Sequence, residues 1–235
     1  MDTTSPGADT SGNTNTFTPS GSPTLTQGSP SNVYANLNSI ALTTRQTLSN
    51  GNLTGTASSW ASAISTIGVT TGKWYAEVKY VDATGNIMVG VMDEKDMSSL
   101  TGSTSGLGFT TNSVGYYSSD GSKYIADITS SYGASYTTNN ILGIALDMTS
   151  ATKTVTFYKN NATQGAINLP TTGTGTFFIG TSATNNGKSS INFGEGFFGT
   201  TAAGTNADGN GQGLFAYAPP TGYYALNTKN LEAYG

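Results

Sequence analysis

Histidine and cysteine are both absent from the 235-residue sequence, and only 9% of its residues are charged. Without histidine the chain lacks the commonest general base, the Ser-His and Cys-His dyads and most transition-metal sites. Without cysteine it has no disulfide and no thiolate metal site, so its stability must come from packing. We therefore expect a protein that is not an enzyme and that uses no cofactor and no metal.

Long apolar runs and an excess of positive charge are also missing. No run of roughly 18 apolar residues, the length of a spanning helix, occurs. Residues 1–16 lack the basic and apolar regions of an ordinary signal peptide. Nine Lys and Arg against thirteen Asp and Glu give a net charge of −4, the wrong sign for binding a phosphate backbone. We expect neither nucleic acid nor membrane insertion.

The composition that remains is rich in glycine, tyrosine, phenylalanine and small polar residues. The sequence contains 31 Gly, 13 Tyr and 9 Phe, and Thr, Ser and Asn fill most other polar positions. Aromatic and β-branched side chains favour a pleated, half-buried surface, and Gly and Asn accept the positive φ of tight turns. This mixture predicts an all-β protein with one large domain.

The first 32 residues differ from the rest of the chain. Apart from Met1, residues 1–32 contain Phe17 and Leu25 as their large apolar side chains among Thr, Ser, Gly, Asn and Pro. Alone, such a segment cannot bury enough surface to offset the entropy lost on ordering. It is either a disordered leader or an extended arm held by a neighbouring subunit, in which case Phe17 and Leu25 are the candidate assembly contacts. Residues 33–235 form the predicted domain.

From Val33 onward, short runs of alternating apolar residues are closed by turn residues, which is typical of antiparallel strands. In residues 73–80 the face that carries Trp74 is predicted to pack, and the face that carries Glu77 is predicted to meet solvent. No dozen residues keep a helical period, so helices should be at most one or two short turns. The predicted hairpins join 73–80 with 87–92, 113–117 with 123–127, and 141–147 with 153–159, and further strands lie at 164–169, 176–180 and 189–193.

Three segments in these strands resemble the SPRY family. Gly72–Val78 is similar to the family's GKWYxEV strand, Val89–Val91 to its VGV strand, and Leu142–Asp147 with Val155–Asn160 to its GxxLD…VxFYKN hairpin. The resemblance runs from about Val33 to the C-terminus. It implies an all-β, SPRY-like (concanavalin-like) antiparallel β-sandwich that binds proteins, and sometimes glycans, through loops at one end and performs no catalysis.

Both ends of the domain resemble SPRY-containing structural proteins of tailed, often marine, bacteriophages. Ile191–Gly194 and Phe215–Leu231 are similar to the ending of those proteins, and Ser11–Thr18 and Ser29–Asn38 to the segments that precede their domain. One departure lies at residues 194–213, where Gly-Glu-Gly-Phe-Phe and an insertion replace the link found in those relatives.

That resemblance implies a virion protein on the surface of an extracellular particle. The leading hypothesis is a capsid decoration or head-fibre module that binds other virion structural proteins and forms a homo-oligomer within a symmetric assembly. The alternative is a tail-associated receptor-binding protein that recognises a host-surface glycan or protein. A carboxylate glycosidase is the remote alternative.

Tyrosines crowd the segment between residues 116 and 136, which is also rich in Ser and Gly. Tyrosine offers a large contact area at low entropic cost, so sugar stacking or protein docking could use them. The alternative is that they fill the sheet, and at least one of Tyr116 and Tyr117 should be buried because neighbouring side chains point to opposite faces. The candidate binding residues are Tyr116, Tyr117, Tyr132 and Tyr136, together with Asp93 and Glu94 of an acidic cluster.

Two acidic segments complete the candidates. Asp93 and Glu94 open the cluster Asp-Glu-Lys-Asp, for which we expect a solvated, self-paired charge run. A glycosidase would need two carboxyl groups about 5 to 9 Å apart. Residues 206–212 space oxygen ligands around Asp208 as a calcium loop does, but Tyr217 stands where the bidentate Glu belongs, so we predict a flexible Gly-rich insertion.

Overall fold

A computed structural model describes residues 7–9, 12–20, 28–101 and 105–235. Short strands dominate these ranges. In chain order the strands are β1 (Leu37–Leu42), β2 (Gln46–Ser49), β3 (Thr54–Ala57), β4 (Ala61–Ser65), β5 (Lys73–Asp82), β6 (Ile87–Asp93), β7 (Ser113–Tyr117), β8 (Lys123–Ile125), β9 (Ile128–Ser130), β10 (Ile141–Asp147), β11 (Thr154–Lys159), β12 (Ala162–Asn168), β13 (Phe177–Ala183), β14 (Lys188–Asn192), β15 (Phe197–Phe198), β16 (Thr201–Ala202) and β17 (Tyr224–Ala225).

Two sheets contain most of these strands. The first has the order β1-β4-β13-β6-β7-β8-β9, and the second has the order β12-β11-β10-β5-β14-β3-β2. Neighbouring strands are antiparallel within both sheets, except that β17 adds to β5 in parallel. The strands β15 and β16 form a separate two-stranded ribbon. The predicted all-β antiparallel sandwich is confirmed.

The core contains side chains from both sheets. Trp74 of β5, Val89 of β6 and Phe157 of β11 are fully buried and belong to one cluster of buried apolar residues. Burying a side chain of this kind contributes roughly 1.5–3 kcal/mol each. A protein without disulfides is therefore held together mainly by this layer.

Helices are short, as the sequence predicted. Within the described ranges they are a 3-10 helix, Glu94–Thr101, and a C-terminal helix α1, Thr228–Tyr234. The side chain of Asn227 caps α1 by accepting a hydrogen bond from the N–H of Asn230. Neither helix has the length and apolar character needed to cross a bilayer, and the described residues contain no other helix.

Two of the three predicted hairpins are confirmed. Strand β7 pairs with β8, with Gly115 opposite Tyr124, and β10 pairs with β11, with Ile144 opposite Phe157. The predicted hairpin of residues 73–80 with 87–92 is wrong, because β5 and β6 lie in different sheets. The connection between them turns the corner at Gly85, where an added Cβ would lie only 2.0 Å from the carbonyl oxygen of Thr184.

The second face of β5 is covered along its middle, so the prediction that this face meets solvent is wrong for Tyr75 and Glu77, whereas Lys73 and Lys79 are half-buried. Glu77 is fully buried, and Tyr75 beside it packs edge-on against Phe215 with ring centroids 5.1 Å apart. The carboxylate of Glu77 accepts hydrogen bonds from the N–H groups of Ala216 (2.8 Å) and Tyr217 (2.9 Å). The C-terminal segment therefore covers a face that alternation alone predicts to be exposed.

Candidate functional site

One end of the sandwich carries a polar cleft of about 430 Å³. It lies where β5, β7 and β11 end and where the connection from β9 to β10 crosses between the sheets. Hydroxyl and amide side chains dominate its lining, which consists of Tyr80, Ala83, Asn86, Ser118, Ser119, Ser135, Tyr136, Thr137, Asn140 and Lys159. We call this feature the polar cleft.

The floor of the polar cleft is held by hydrogen bonds between segments that are distant in sequence. Tyr136 donates its backbone N–H to the carbonyl of Ser118 (2.9 Å) and its hydroxyl to the carbonyl of Tyr116 (2.5 Å). The ammonium group of Lys159 donates to the carbonyl of Ser135 at 2.6 Å. Because these bonds already fix the loops, a ligand would lose little free energy to ordering them.

The chemistry of the polar cleft is neutral to weakly positive. Among the described residues that line it, Lys159 is the charged one, and the remainder offer hydroxyl, amide and phenol groups. Asn86, Ser119 and Asn140 can each donate and accept hydrogen bonds. Such a lining suits a ligand with many hydrogen-bonding groups, such as an extended peptide or a sugar, better than it suits a proton-transfer reaction.

Tyr116 and Tyr136 support this end of the fold from inside. Tyr116 is fully buried and packs against Phe157 and Tyr136, with ring centroids 5.5 and 4.9 Å away. Burial raises the pKa of the Tyr116 hydroxyl, which donates a hydrogen bond to the carbonyl of Ala134. Of the two alternatives, filling the sheet describes Tyr116, because alternation turns its side chain towards the core. Tyr136 lies in the connection between β9 and β10, where it belongs to the core cluster and also lines the polar cleft.

Tyr117 points the opposite way and joins an aromatic patch on the outside of the first sheet. Its ring lies 5.7 Å from that of Trp60 and 5.9 Å from that of Tyr124, and Phe109 contacts both Trp60 (5.5 Å) and Tyr124 (5.7 Å). All four side chains are half-buried. We call these four residues the aromatic patch, and the chain runs from Tyr117 directly into Ser118 and Ser119 of the polar cleft.

Tyr132 is half-buried and holds two strands together. Its hydroxyl donates to the carbonyl of Gly165 (2.5 Å) and accepts from the N–H of Phe157 (3.3 Å). The ammonium of Lys123 lies 5.8 Å from its ring centroid. Burial raises the pKa of Tyr132 to about 12, so the hydroxyl remains a donor at every physiological pH.

Asp93 and Glu94 occupy different environments. Asp93 is fully buried, and its carboxylate accepts hydrogen bonds from the N–H groups of Lys95 (2.9 Å), Thr174 (2.9 Å) and Gly175 (2.7 Å). Glu94 is exposed and accepts a long hydrogen bond from the hydroxyl of Thr174. The expectation of a solvated, self-paired run is wrong for Asp93, which instead braces the loop before β13.

The insertion around Asp208 is tied to the C-terminal segment. Asp208 accepts hydrogen bonds at 2.8–2.9 Å from the N–H groups of Asn210, Gln212 and Ala225 and from the side-chain amide of Asn230. No group of three acidic residues that could hold a metal occurs in the described part of the chain. Asp208 therefore serves the fold, because N–H donors take the positions that a cation would need.

The described part of the N-terminal arm lies on the surface. Residues 12–20 are exposed, and Phe17 has 75% of its side-chain surface in contact with solvent. The N–H of Phe17 donates to the carbonyl of Gly7 (2.8 Å), and that of Asn15 donates to the carboxylate of Asp9 (2.7 Å). Leu25, the other candidate assembly contact, lies outside the described residues.

Sequence reasoning missed most of the polar cleft and half of the aromatic patch. The cleft takes single residues from several separate connections, so no local motif marks Asn86, Asn140 or Lys159. A signal did exist for Trp60 and Phe109, since each is a large aromatic residue among Ser, Thr and Gly outside the predicted strands. Such residues are candidates for contact surfaces because nothing in a polar loop requires them for packing.

Comparison with known proteins finds a matching family model and similar solved structures. A family model described as "SPRY domain" matches residues 73–196, just over half of the chain. No curated protein sequence matches significantly.

Among solved structures, a human SPRY domain superposes with a TM-score of 0.52 at 18% identity, over 63% of this chain and 94% of that one. The SPRY domain of human HERC1 superposes with a TM-score of 0.51 at 17% identity, over 66% and 96%. Stonustoxin superposes with a TM-score of 0.53 at 18% identity, over 67% of this chain and 27% of its own. At these identities the likeness concerns the fold.

Proposed function

The chain belongs to the SPRY family, whose domains are protein-interaction modules, and from this premise we propose that it is a non-enzymatic virion structural protein of a tailed bacteriophage. In this proposal it is a capsid decoration or head-fibre module on the particle surface. The N-terminal arm binds neighbouring virion subunits, and the sandwich presents its loops outward. Many copies in a symmetric assembly would add weak contacts into stable attachment.

The observation that carries the proposal is the exposed arm. Phe17 is a large apolar side chain in a polar segment, and three quarters of its surface meets solvent. Covering such a side chain with a partner would contribute roughly 1.5–3 kcal/mol. An arm of this kind gains more from lying on a neighbouring subunit than from remaining in water.

The resemblance to phage structural proteins supports the same proposal. Its longest segment, Phe215–Leu231, begins on the outer face of β5 and ends in α1. Phe215 packs on Tyr75, and the next two backbone N–H groups bind Glu77. The segment that carries the resemblance is therefore an integrated part of this fold.

The non-enzymatic part of the proposal rests on the carboxylates. The carboxylate of Asp93 already accepts hydrogen bonds from three backbone N–H groups, and the carboxylate of Asp208 accepts hydrogen bonds from four N–H donors. A glycosidase needs an acid and a base that face one substrate. Neither residue is free to act in that way in this conformation.

Attachment can be tested with particles assembled without the protein, to which purified full-length chain is added. Wild type should bind in many copies per particle, and Phe17→Ser should reduce bound protein about tenfold or more, because each symmetric contact loses the same apolar group. The matched control is Ile40→Ser, another exposed apolar residue, which should bind like wild type. Equal binding by wild type and Phe17→Ser would remove the arm from the proposal.

A second candidate function is receptor binding on the phage tail, which the aromatic patch and the adjoining polar cleft favour. Half-buried aromatic rings beside hydroxyl and amide groups are typical of surfaces that hold sugars or proteins. In this case labelled full-length protein should bind host cells, Trp60→Ser with Tyr124→Ser should abolish binding, and Phe17→Ser should leave it unchanged. The opposite pattern of the variants would favour attachment through the arm.

A further inference from the structure

A cavity of about 690 Å³ lies between the end of the N-terminal arm and the β15–β16 ribbon. Its walls are largely apolar and include Val33, Tyr34, Leu53 and Phe197. This volume falls within the range of small-ligand sites in proteins. The cavity shares no lining residue with the polar cleft.

Glu195 is the charged residue among those that line this cavity, and the backbone around it is built to hold its side chain in place. Its neighbours Gly194 and Gly196 have φ values of +122° and +99°, which only glycine adopts readily. Oδ1 of Asn192 accepts hydrogen bonds from the backbone N–H groups of Gly194 (2.8 Å) and Gly196 (3.1 Å). The Glu195 side chain curls back so that Oε2 accepts the N–H of Phe193 at 2.9 Å.

The other carboxyl oxygen of Glu195 has no hydrogen-bond partner. Glu195 is only 5% exposed, and its Oε1 is buried and unpaired. Asn36, which lines the same cavity, also has a buried and unpaired oxygen, Oδ1. Buried polar atoms are nearly always satisfied in folded proteins, so two unpaired oxygens in one cavity mark a place where a partner group would bind.

We propose that this cavity binds a lysine or arginine side chain of a partner protein. The cation would donate to Oε1 of Glu195 and Oδ1 of Asn36, and its aliphatic stem would lie against Tyr34, Leu53 and Phe197. Lysine and arginine carry donors and no acceptors, which matches the amide oxygen of Asn36 and the carboxylate that Glu195 becomes when it loses its proton. Their long aliphatic stems pack well on apolar walls while the charged end reaches a hydrogen-bond acceptor.

The protonation of Glu195 fits the same ligand. Burial raises the pKa of Glu195 to about 8, since only hydrogen bonds from backbone N–H groups oppose the loss of hydration. Without a bound cation, Glu195 is therefore mostly protonated at pH 7. A bound cation favours the ionised carboxylate, so binding should release close to one proton, whereas a neutral ligand should release none.

The experiment uses the full-length chain and four small probes. N-acetyl-arginine amide and N-acetyl-lysine amide carry the cation, and the citrulline and norleucine analogues are their neutral counterparts. Calorimetry at pH 7 in buffers of different ionisation enthalpy reports affinity and proton release together. We expect a cationic probe to bind at least tenfold more tightly than its neutral counterpart and to release about one proton. Its affinity should rise several-fold for each pH unit between 6 and 8.

Three variants assign the effect to this cavity. Glu195→Gln preserves the shape of the neutral acid and should weaken cationic binding at least tenfold and abolish proton release, while Glu94→Gln, an exposed counterpart, should change neither. Val33→Glu adds a carboxylate at the half-exposed rim and should strengthen binding. Equal affinity for cationic and neutral probes, no binding of either at millimolar concentrations, or an unchanged Glu195→Gln response would each overturn the proposal. Attachment through Phe17 would be unaffected by that failure, because Phe17 does not line this cavity.

Discussion

Glu77 attaches the C-terminal segment to β5, and its replacement by glutamine tests that attachment directly. Its two carboxyl oxygens accept three hydrogen bonds, from the N–H of Ala216 (2.8 Å), the N–H of Tyr217 (2.9 Å) and the hydroxyl of Tyr75 (3.2 Å). Glutamine has the same shape but replaces one oxygen by NH₂. One buried donor would then face another donor.

The expected loss follows from that unsatisfied donor. Leaving one buried N–H without an acceptor costs about 1–3 kcal/mol. For a chain of this length each kcal/mol corresponds to a change in Tm of about 2–4 °C. Burial raises the pKa of Glu77 to about 7, so burying its ionised form destabilises the fold at higher pH. The comparison therefore belongs at about pH 5.5, where Glu77 is mostly protonated and neutral like glutamine, while both of its oxygens can still accept hydrogen bonds. The free energy of unfolding should then fall by about 1–3 kcal/mol.

Urea unfolding followed by tryptophan fluorescence measures this difference, because Trp74 is buried in the same strand. Glu94→Gln makes the same chemical change on an exposed side chain and should stay within about 0.5 kcal/mol of wild type. Tyr75→Phe removes one of the three donors and should cost about 0.5–1.5 kcal/mol. If Glu77→Gln unfolds at the same urea concentration as Glu94→Gln, the C-terminal segment is not held in this way.

Three further predictions concern stability. Burial raises the pKa of Glu195 from 4.5 to about 8, so the contribution of Glu195 to the free energy of unfolding is fully present below pH 4.5 and is lost as pH rises to about 8. This loss amounts to up to about 5 kcal/mol. Urea unfolding at pH 4.5 and 8.5 should show it in wild type, and Glu195→Gln should abolish it. Tyr116→Ala should lower the free energy of unfolding by about 3–5 kcal/mol, since it empties a fully buried site, whereas Tyr117→Ala on the outer face should cost clearly less in the same assay. Asp208→Asn should cost about 1–3 kcal/mol, and addition of calcium should leave the Tm of wild type unchanged, because N–H donors surround that carboxylate.

Alternation along the sequence predicted individual strands well. Residues 141–147 and 153–159 alternate clearly and are linked by a short turn, and they pair as expected in β10 and β11. The same reasoning failed for 73–80 and 87–92, although each is a strand. Whether two consecutive strands pair or pass to opposite sheets depends on contacts such as that between Gly85 and Thr184, which are distant in sequence.

The misprediction at Glu77 has a similar cause. Period-two alternation separates the two faces of a strand, but it does not show what covers each face. The covering residues Ala216 and Tyr217 lie about 140 positions further along the chain. The charge on Glu77 favoured a solvent-facing strand, because a buried carboxylate is rare unless specific donors satisfy it.

For the candidate site, the local sequence pattern indicated the correct region of the chain but not which side chains form the site. The crowding of tyrosines drew attention to residues 116–136, which border the polar cleft. It did not separate Tyr117, which faces outward, from Tyr116, which faces the core, beyond the expectation that one of them is buried. Glu195 stood in the segment that departs from the resembling proteins, yet only the fold shows that one of its oxygens is buried and unpaired.

Cryo-electron microscopy of the intact particle is the measurement that tests the proposed function most directly. We expect the chain to be present on the particle surface in many copies, with Phe17 buried against a neighbouring subunit and the polar cleft facing outward. Absence of the chain from the particle, or copies whose Phe17 remains in solvent while the cleft end forms the subunit contacts, would contradict it.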